Sequence, residues 1–182
     1  MALEPIIDIS TLDLSQVVIS KEEVGKINPQ SGDMRQLDYI SWVSEDKQTA
    51  VGIKEVKDDE FWIAGHIPGR PIYPGVLMIE AAAQISSILY HLNAEVDHFM
   101  GFTRCDECSF RGQVLPGCTL VLSSKIRKFQ RRRFVCDAQG FVDGQFVFEA
   151  KITGMMMWWN RTHLRLSQFW KKKSGAGVRL NG

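Results

Sequence analysis

The chain has 182 residues, 45% apolar and 24% charged, a balance that suits one globular domain with a proper core. No window reaches the roughly 18 uninterrupted apolar residues of a spanning helix. The acid-bearing start MALEPIIDISTLDLSQ lacks the basic region of a signal peptide, so a cytoplasmic protein is expected.

Residues 1–49 read as an N-terminal lead-in, loosely organised over the first 35. Ser20 with Glu23 forms a capping-box signal for a short helix, KEEVGKI, which NPQSGD then breaks. TAVGIKEV alternates apolar and polar residues as a half-buried strand should, and DDEFWIAG reads as a turn followed by a short apolar strand. From Gly75 to about Leu92, GVLMIEAAAQISSILYHL has helix length and is apolar on nearly every face, so the rest of the fold should enclose it. Strands follow in FTRCDECSFRG, VLPGCTLVLSSKIRKF, RFVCDAQGFV and QFVFEAKITG, with turns at Pro116-Gly117 and Asp143-Gly144. One buried helix and several antiparallel strands predict an α+β domain in which a sheet wraps a helix.

Cys105 and Cys108 make a C-x-x-C, the pattern of redox chemistry or of half a zinc site. Cys118 and Cys136 stand alone, and residues three apart on a strand point to opposite faces, so no metal site is expected. The cysteines read as ordinary small residues.

The stretch GHIPGRPIYPGVLMIEAAAQ, residues 65–84, concentrates the chemistry. Three prolines stiffen the chain after His66, as suits a base held in place. Gly75 starts the helix, where unpaired N–H donors at the positive end of the dipole suit a carbonyl oxygen that gains charge. Glu80, flanked by Ile79 and alanines, must be paired or have its pKa raised by desolvation, which would make it a proton donor. Gln84, one turn on, lies on the same helix face and is placed to orient it. These groups suit proton abstraction beside a carbonyl with protonation of a leaving group. The residues alone leave other readings open: a structural histidine, a Glu80 ion pair with Arg70 or Arg111, and a proline loop that only connects.

This stretch resembles the signature of the 3-hydroxyacyl-acyl-carrier-protein dehydratases of fatty-acid synthesis, H-x-P-G-x-P-x-x-P-G-V-L-x-x-E-A-x-A-Q, at every fixed position. FRGQVLPGCTLVL and GFVDGQFVFEAKI resemble two further segments of that family, so the similarity covers roughly residues 50–153. The resemblance implies a hot-dog fold over 50–153, a long helix wrapped by a curved antiparallel sheet, assembled from dimers. It implies His66 and Glu80 as catalytic residues, meeting across the dimer interface. Gly75 and Val76 at the helix start, with Gln84, would bind substrate. A glutamate at position 80 resembles the general dehydratase branch, where the isomerising branch usually has aspartate. The implied reaction takes water from a (3R)-3-hydroxyacyl thioester to give the trans-2-enoyl thioester, with no metal or redox cofactor, the phosphopantetheine arm arriving with the acyl carrier protein. Related readings are a coenzyme A, polyketide or pigment-lipid hydratase of the same fold, and a non-catalytic thioester-binding subunit.

The sequence departs from the family pattern at MRQLDYISWVSED, where a PHRYPFLLVDR-like segment is usual, and at Cys118, where aspartate is expected. The run KIRKFQRRRF, residues 125–134, is either a solvated strand edge or a docking patch for an acidic carrier protein through Arg131, Arg132 and Arg133. No recognised nucleic-acid-binding motif accompanies it. Residues 151–182 hold seven Lys or Arg and no acid, leaving −6 on the rest of the chain. The basic, Trp-rich extension 154–182 reads as an interfacial membrane helix, a segment packed on the sheet, or a disordered tail.

Overall fold

The computed structural model describes residues 4–94 and 98–157. Helix α1 (Lys21–Ile27) starts where Ser20 and Glu23 close the expected reciprocal cap: Ser20 N–H donates to Glu23 Oε2 at 2.8 Å, and Glu23 N–H to Ser20 Oγ at 3.4 Å. Helix α2 (Gly75–Asn93) begins behind Pro74 and stops where Asn93 Nδ2 turns back to the Leu89 and Lys47 carbonyls. Every residue from Ala81 to Leu92 is buried. By length and composition α2 could cross a membrane, but here it is enclosed by protein.

Six antiparallel strands form one sheet in the order β1-β2-β4-β5-β6-β3. They are β1 (Tyr39–Val43), β2 (Thr49–Glu55), β3 (Phe99–Phe110), β4 (Thr119–Gln130), β5 (Arg133–Val142) and β6 (Gln145–Met157). The main core fills the space between the sheet and α2, with Ile85, Ile88 and Leu89 of the helix against strand residues such as Leu120, Leu122 and Phe148. The β5–β6 hairpin turns at Asp143 (φ 49°) and Gly144 (φ 73°), the pair of positive φ values that Asp-Gly accommodates.

Three expectations are corrected. β2 is buried on both faces except at Glu55, not half-buried, because Ile7, Ile9, Leu12 and Leu14 pack over Val51, Ile53, Val121 and Phe141 on the outer face. DDEFWIAG forms no strand; both edges of β2 are already taken by β1 and β4, and residues 58–65 fold into turns. Cys105 and Cys108 do not diverge, because a bulge between Asp106 and Ser109, with Glu107 at φ 49°, shifts the register and lets the two thiols share a hydrogen bond. β1 lies within the stretch expected as lead-in, and β6 runs to Met157, within the expected extension. The membrane reading of that extension falls on residues 158–182, outside the described residues.

Candidate active site

The loop carrying His66 is fastened from below. Lys54 Nζ on β2 meets Glu60 Oε1 at 2.7 Å in a buried ion pair, and Glu60 also accepts the Lys57 N–H (3.1 Å) and the Trp62 indole N–H (3.0 Å). The Trp62 carbonyl in turn accepts the main-chain N–H of Gly65 (3.2 Å) and His66 (2.8 Å). The Trp62 ring meets Tyr73 edge-on at 5.6 Å, and the Tyr73 hydroxyl donates to Gln36 Oε1 at 2.7 Å. Burial pushes the Tyr73 phenol far above its ordinary value of 10.0, so it stays a neutral donor. Gly69 (φ 83°) and, unusually for a β-branched residue, Ile67 (φ 59°) bend the chain back.

That bend brings His66 Nδ1 to 2.8 Å from the Ile72 carbonyl. A carbonyl only accepts, so Nδ1 carries a hydrogen, and in the neutral ring the lone pair sits on Nε2. This is the tautomer a general base needs. His66 borders an apolar cleft of about 340 Å³ with Phe61, Trp62, Gly65, Pro74, Val76 and Leu77.

The start of α2 opens on the same cleft. Leu77 and Met78 direct their N–H groups to the Pro74 carbonyl (2.9 and 3.4 Å), whereas those of Gly75 and Val76 have no acceptor among the described residues. A Cβ at position 75 would stand 2.8 Å from the Phe110 ring, so only glycine lets β3 pack over the helix start. Val76 is 69% exposed and faces outward at the cleft. A bare imidazole nitrogen and two free N–H donors thus flank one apolar space.

Glu80 is half-buried, on the flank of α2 that meets the loop after α1. The structure replaces the possible ion pairs with amides: Gln30 Nε2 and Gln84 Nε2 each donate to Glu80 Oε1 at 2.8 Å. Arg70 instead reaches Gln113, and Arg111 pairs with Glu149. Gln84 is 1% exposed, with Nε2 also on the Met34 carbonyl (2.7 Å) and Oε1 accepting the Gln36 N–H (3.1 Å). Both N–H groups of Gln84 Nε2 are therefore engaged, one on Glu80 and one on the Met34 carbonyl. Among the described residues no hydrogen bond or ion pair links Glu80 to His66 within the chain.

Arg131, Arg132 and Arg133 form and follow the β4–β5 turn, where the Arg131 carbonyl accepts the Tyr90 hydroxyl at 2.7 Å. Tyr90 stands near the far end of α2, roughly 22 Å along the helix from Gly75 at 1.5 Å per residue, so one chain does not bring these arginines to His66. Gln30 and Gln36 were not legible as site residues; their partners lie about 40 to 50 positions away, and no local pattern joins them. A larger cleft of about 600 Å³ on the outer sheet face is lined by charges already paired there, as Arg127 with Asp137 and Lys151 with Glu107. It touches neither His66 nor Glu80.

A long apolar helix packed against one antiparallel sheet, with the strand order found among the described residues, defines a hot-dog fold. Residues 28–151 match the family model of the FabA-like domain, and the chain belongs to that family. It is 35% identical over 132 residues to the 3-hydroxyacyl-[acyl-carrier-protein] dehydratase FabZ of Lactococcus lactis, covering 72% of this chain and 86% of that one. The same figure holds over 133 residues for FabZ of Herpetosiphon aurantiacus, covering 72% and 94%. Among solved structures, the dehydratase heterocomplex ApeI:P of Xenorhabdus doucetiae superposes with a TM-score of 0.61 at 14% identity, over 74% of this chain and 90% of that one. A putative thioesterase of Ralstonia eutropha gives 0.54 at 15% identity, over 64% and 82%. At such identities these two speak for the fold alone.

Proposed function

We propose that this protein is a hydro-lyase that dehydrates (3R)-3-hydroxyacyl-acyl-carrier-protein to the trans-2-enoyl thioester in fatty-acid synthesis. The observation that carries the reading is the bare Nε2 of His66 in an apolar cleft beside the free N–H groups of Gly75 and Val76. The thioester carbonyl rests on those N–H groups, Nε2 takes the C2 proton, and Glu80 protonates the departing C3 hydroxyl. The C2–H and C3–O bonds break, the C2–C3 double bond forms and water leaves; the phosphopantetheine arm comes with the carrier protein.

Two features favour a homodimer that joins His66 of one chain to Glu80 of the other. The pair is not linked within one chain, and β3, twelve residues long, has an outer edge with no partner among the described residues and exposes Phe102 and Phe110. Arg131 and Arg132, exposed at the β4–β5 turn, suit an acidic carrier protein, whereas Arg133 is half-buried. Four free cysteines fit a reducing cytoplasm. Replacing His66 by Ala should abolish hydration of crotonyl-carrier substrate while the protein keeps its melting temperature and dimer mass. Turnover near the wild-type rate would refute the assignment.

A further inference from the structure

We propose that Gln30 is a positioning residue that selects which oxygen of Glu80 delivers the proton. This rests on the reading of His66 and Glu80 as base and acid. Glu80 Oε1 accepts from two amides at 2.8 Å, Gln30 Nε2 and Gln84 Nε2. The orientation of Gln84 is not free, because its Oε1 takes the Gln36 N–H and its Nε2 also reaches the Met34 carbonyl. With two N–H donors on it, Oε1 is occupied, and the transferable proton must ride on Oε2.

Gln30 must donate to Glu80, so its own carbonyl points away. That Gln30 Oε1 is buried and has no donor among the described residues. Gln30 also borders a cavity of about 40 Å³ with Ala83, Ser87, Phe99, Phe134 and Ile152. The space is large enough for a water and too small for an acyl chain. In the proposed step the C2–H bond breaks toward His66 Nε2, and its electron pair becomes the C2–C3 π bond. The C3–O bond breaks as that π bond forms, with its pair on oxygen, and the Oε2 proton completes a water molecule.

Gln30→Met keeps the length of the side chain and removes both polar ends. With carrier-bound 3-hydroxybutyryl substrate its kcat should fall by about 100-fold while KM stays within about twofold, as for a misplaced reacting group. Dimer mass and melting temperature should be unchanged. Gln30→Glu, the same length without the amide donor, gives the same loss of kcat and covers a Met variant that fails to fold. A kcat within about threefold of wild type, or a KM that rises as kcat falls, overturns the assignment. His66→Ala run alongside separates the two readings: if it keeps turnover, the base assignment fails and takes this one with it. If it is inactive while the Gln30 variants turn over normally, the role of Gln30 alone is wrong.

Discussion

Lys54 and Glu60 hold the His66 loop from beneath, and the pair is buried enough that losing one member strands the other. Lys54→Met should therefore destabilise the fold by about 3–5 kcal/mol, measured by urea unfolding, where an exposed pair would cost under about 1. A loss below about 1 kcal/mol would show that Glu60 needs no cation. Thiol chemistry gives a second check at this scale. Burial, with Cys108 alongside, lifts the Cys105 thiol to about 11, burial also raises Cys108, and burial takes Cys136 to about 12. Cys105 and Cys136 should alkylate with iodoacetamide at pH 7 far more slowly than a free cysteine, followed by mass spectrometry; fast labelling of Cys105 would contradict its half-buried, hydrogen-bonded setting. Such single-residue features were legible where their cause is local. Ser20 with Glu23 and Asp143 with Gly144 are short-range patterns, and both fold as the residues predict. The Cys105–Cys108 contact was not, because a bulge overrides the simple alternation of strand faces.

Among the elements, the N-terminal segment differs most from expectation. Residues that read as loose lead-in cover the outer face of β2, β4 and β5 and make a second small core there. Its apolar positions, Ile7, Ile9, Leu12 and Leu14, lack the regular spacing of a helix or strand, so the pattern gave no sign of what they cover. The segment is shaped by Asp8, which accepts the Ser10 N–H (3.0 Å) and hydroxyl (2.6 Å), and by Asp13, which does the same for Ser15 (3.1 and 2.6 Å). These hydrogen bonds, side-chain first and backbone second, hold both carboxyls below their ordinary value of 3.8. A carboxyl whose pKa is lower folded than unfolded contributes fully above the unfolded value and loses its contribution as pH falls through the folded one. Amide protection of residues 6–14, corrected for intrinsic exchange rates, should thus fall as pH drops below about 4. Protection that stays flat there would mean the turns do not depend on ionised Asp8 and Asp13.

For the whole molecule, one long apolar helix and several antiparallel strands were enough to read the α+β class, and the motif from His66 to Gln84 was enough to read the family. The strand order was not legible, since pairings such as β2 with β4 join segments about 70 residues apart. The meeting of two chains is likewise no property of one chain's pattern, and the proposed mechanism depends on it. Mixing His66→Ala subunits with Glu80→Gln subunits tests that dependence most directly. Each variant alone should be inactive in the hydration assay, because every site it forms lacks one of the two groups. Unfolded and refolded together in equal amounts, half of the dimers are mixed and each holds one intact site, so about a quarter of wild-type activity should return. A refolded mixture as inactive as its two parents would contradict a site shared between subunits.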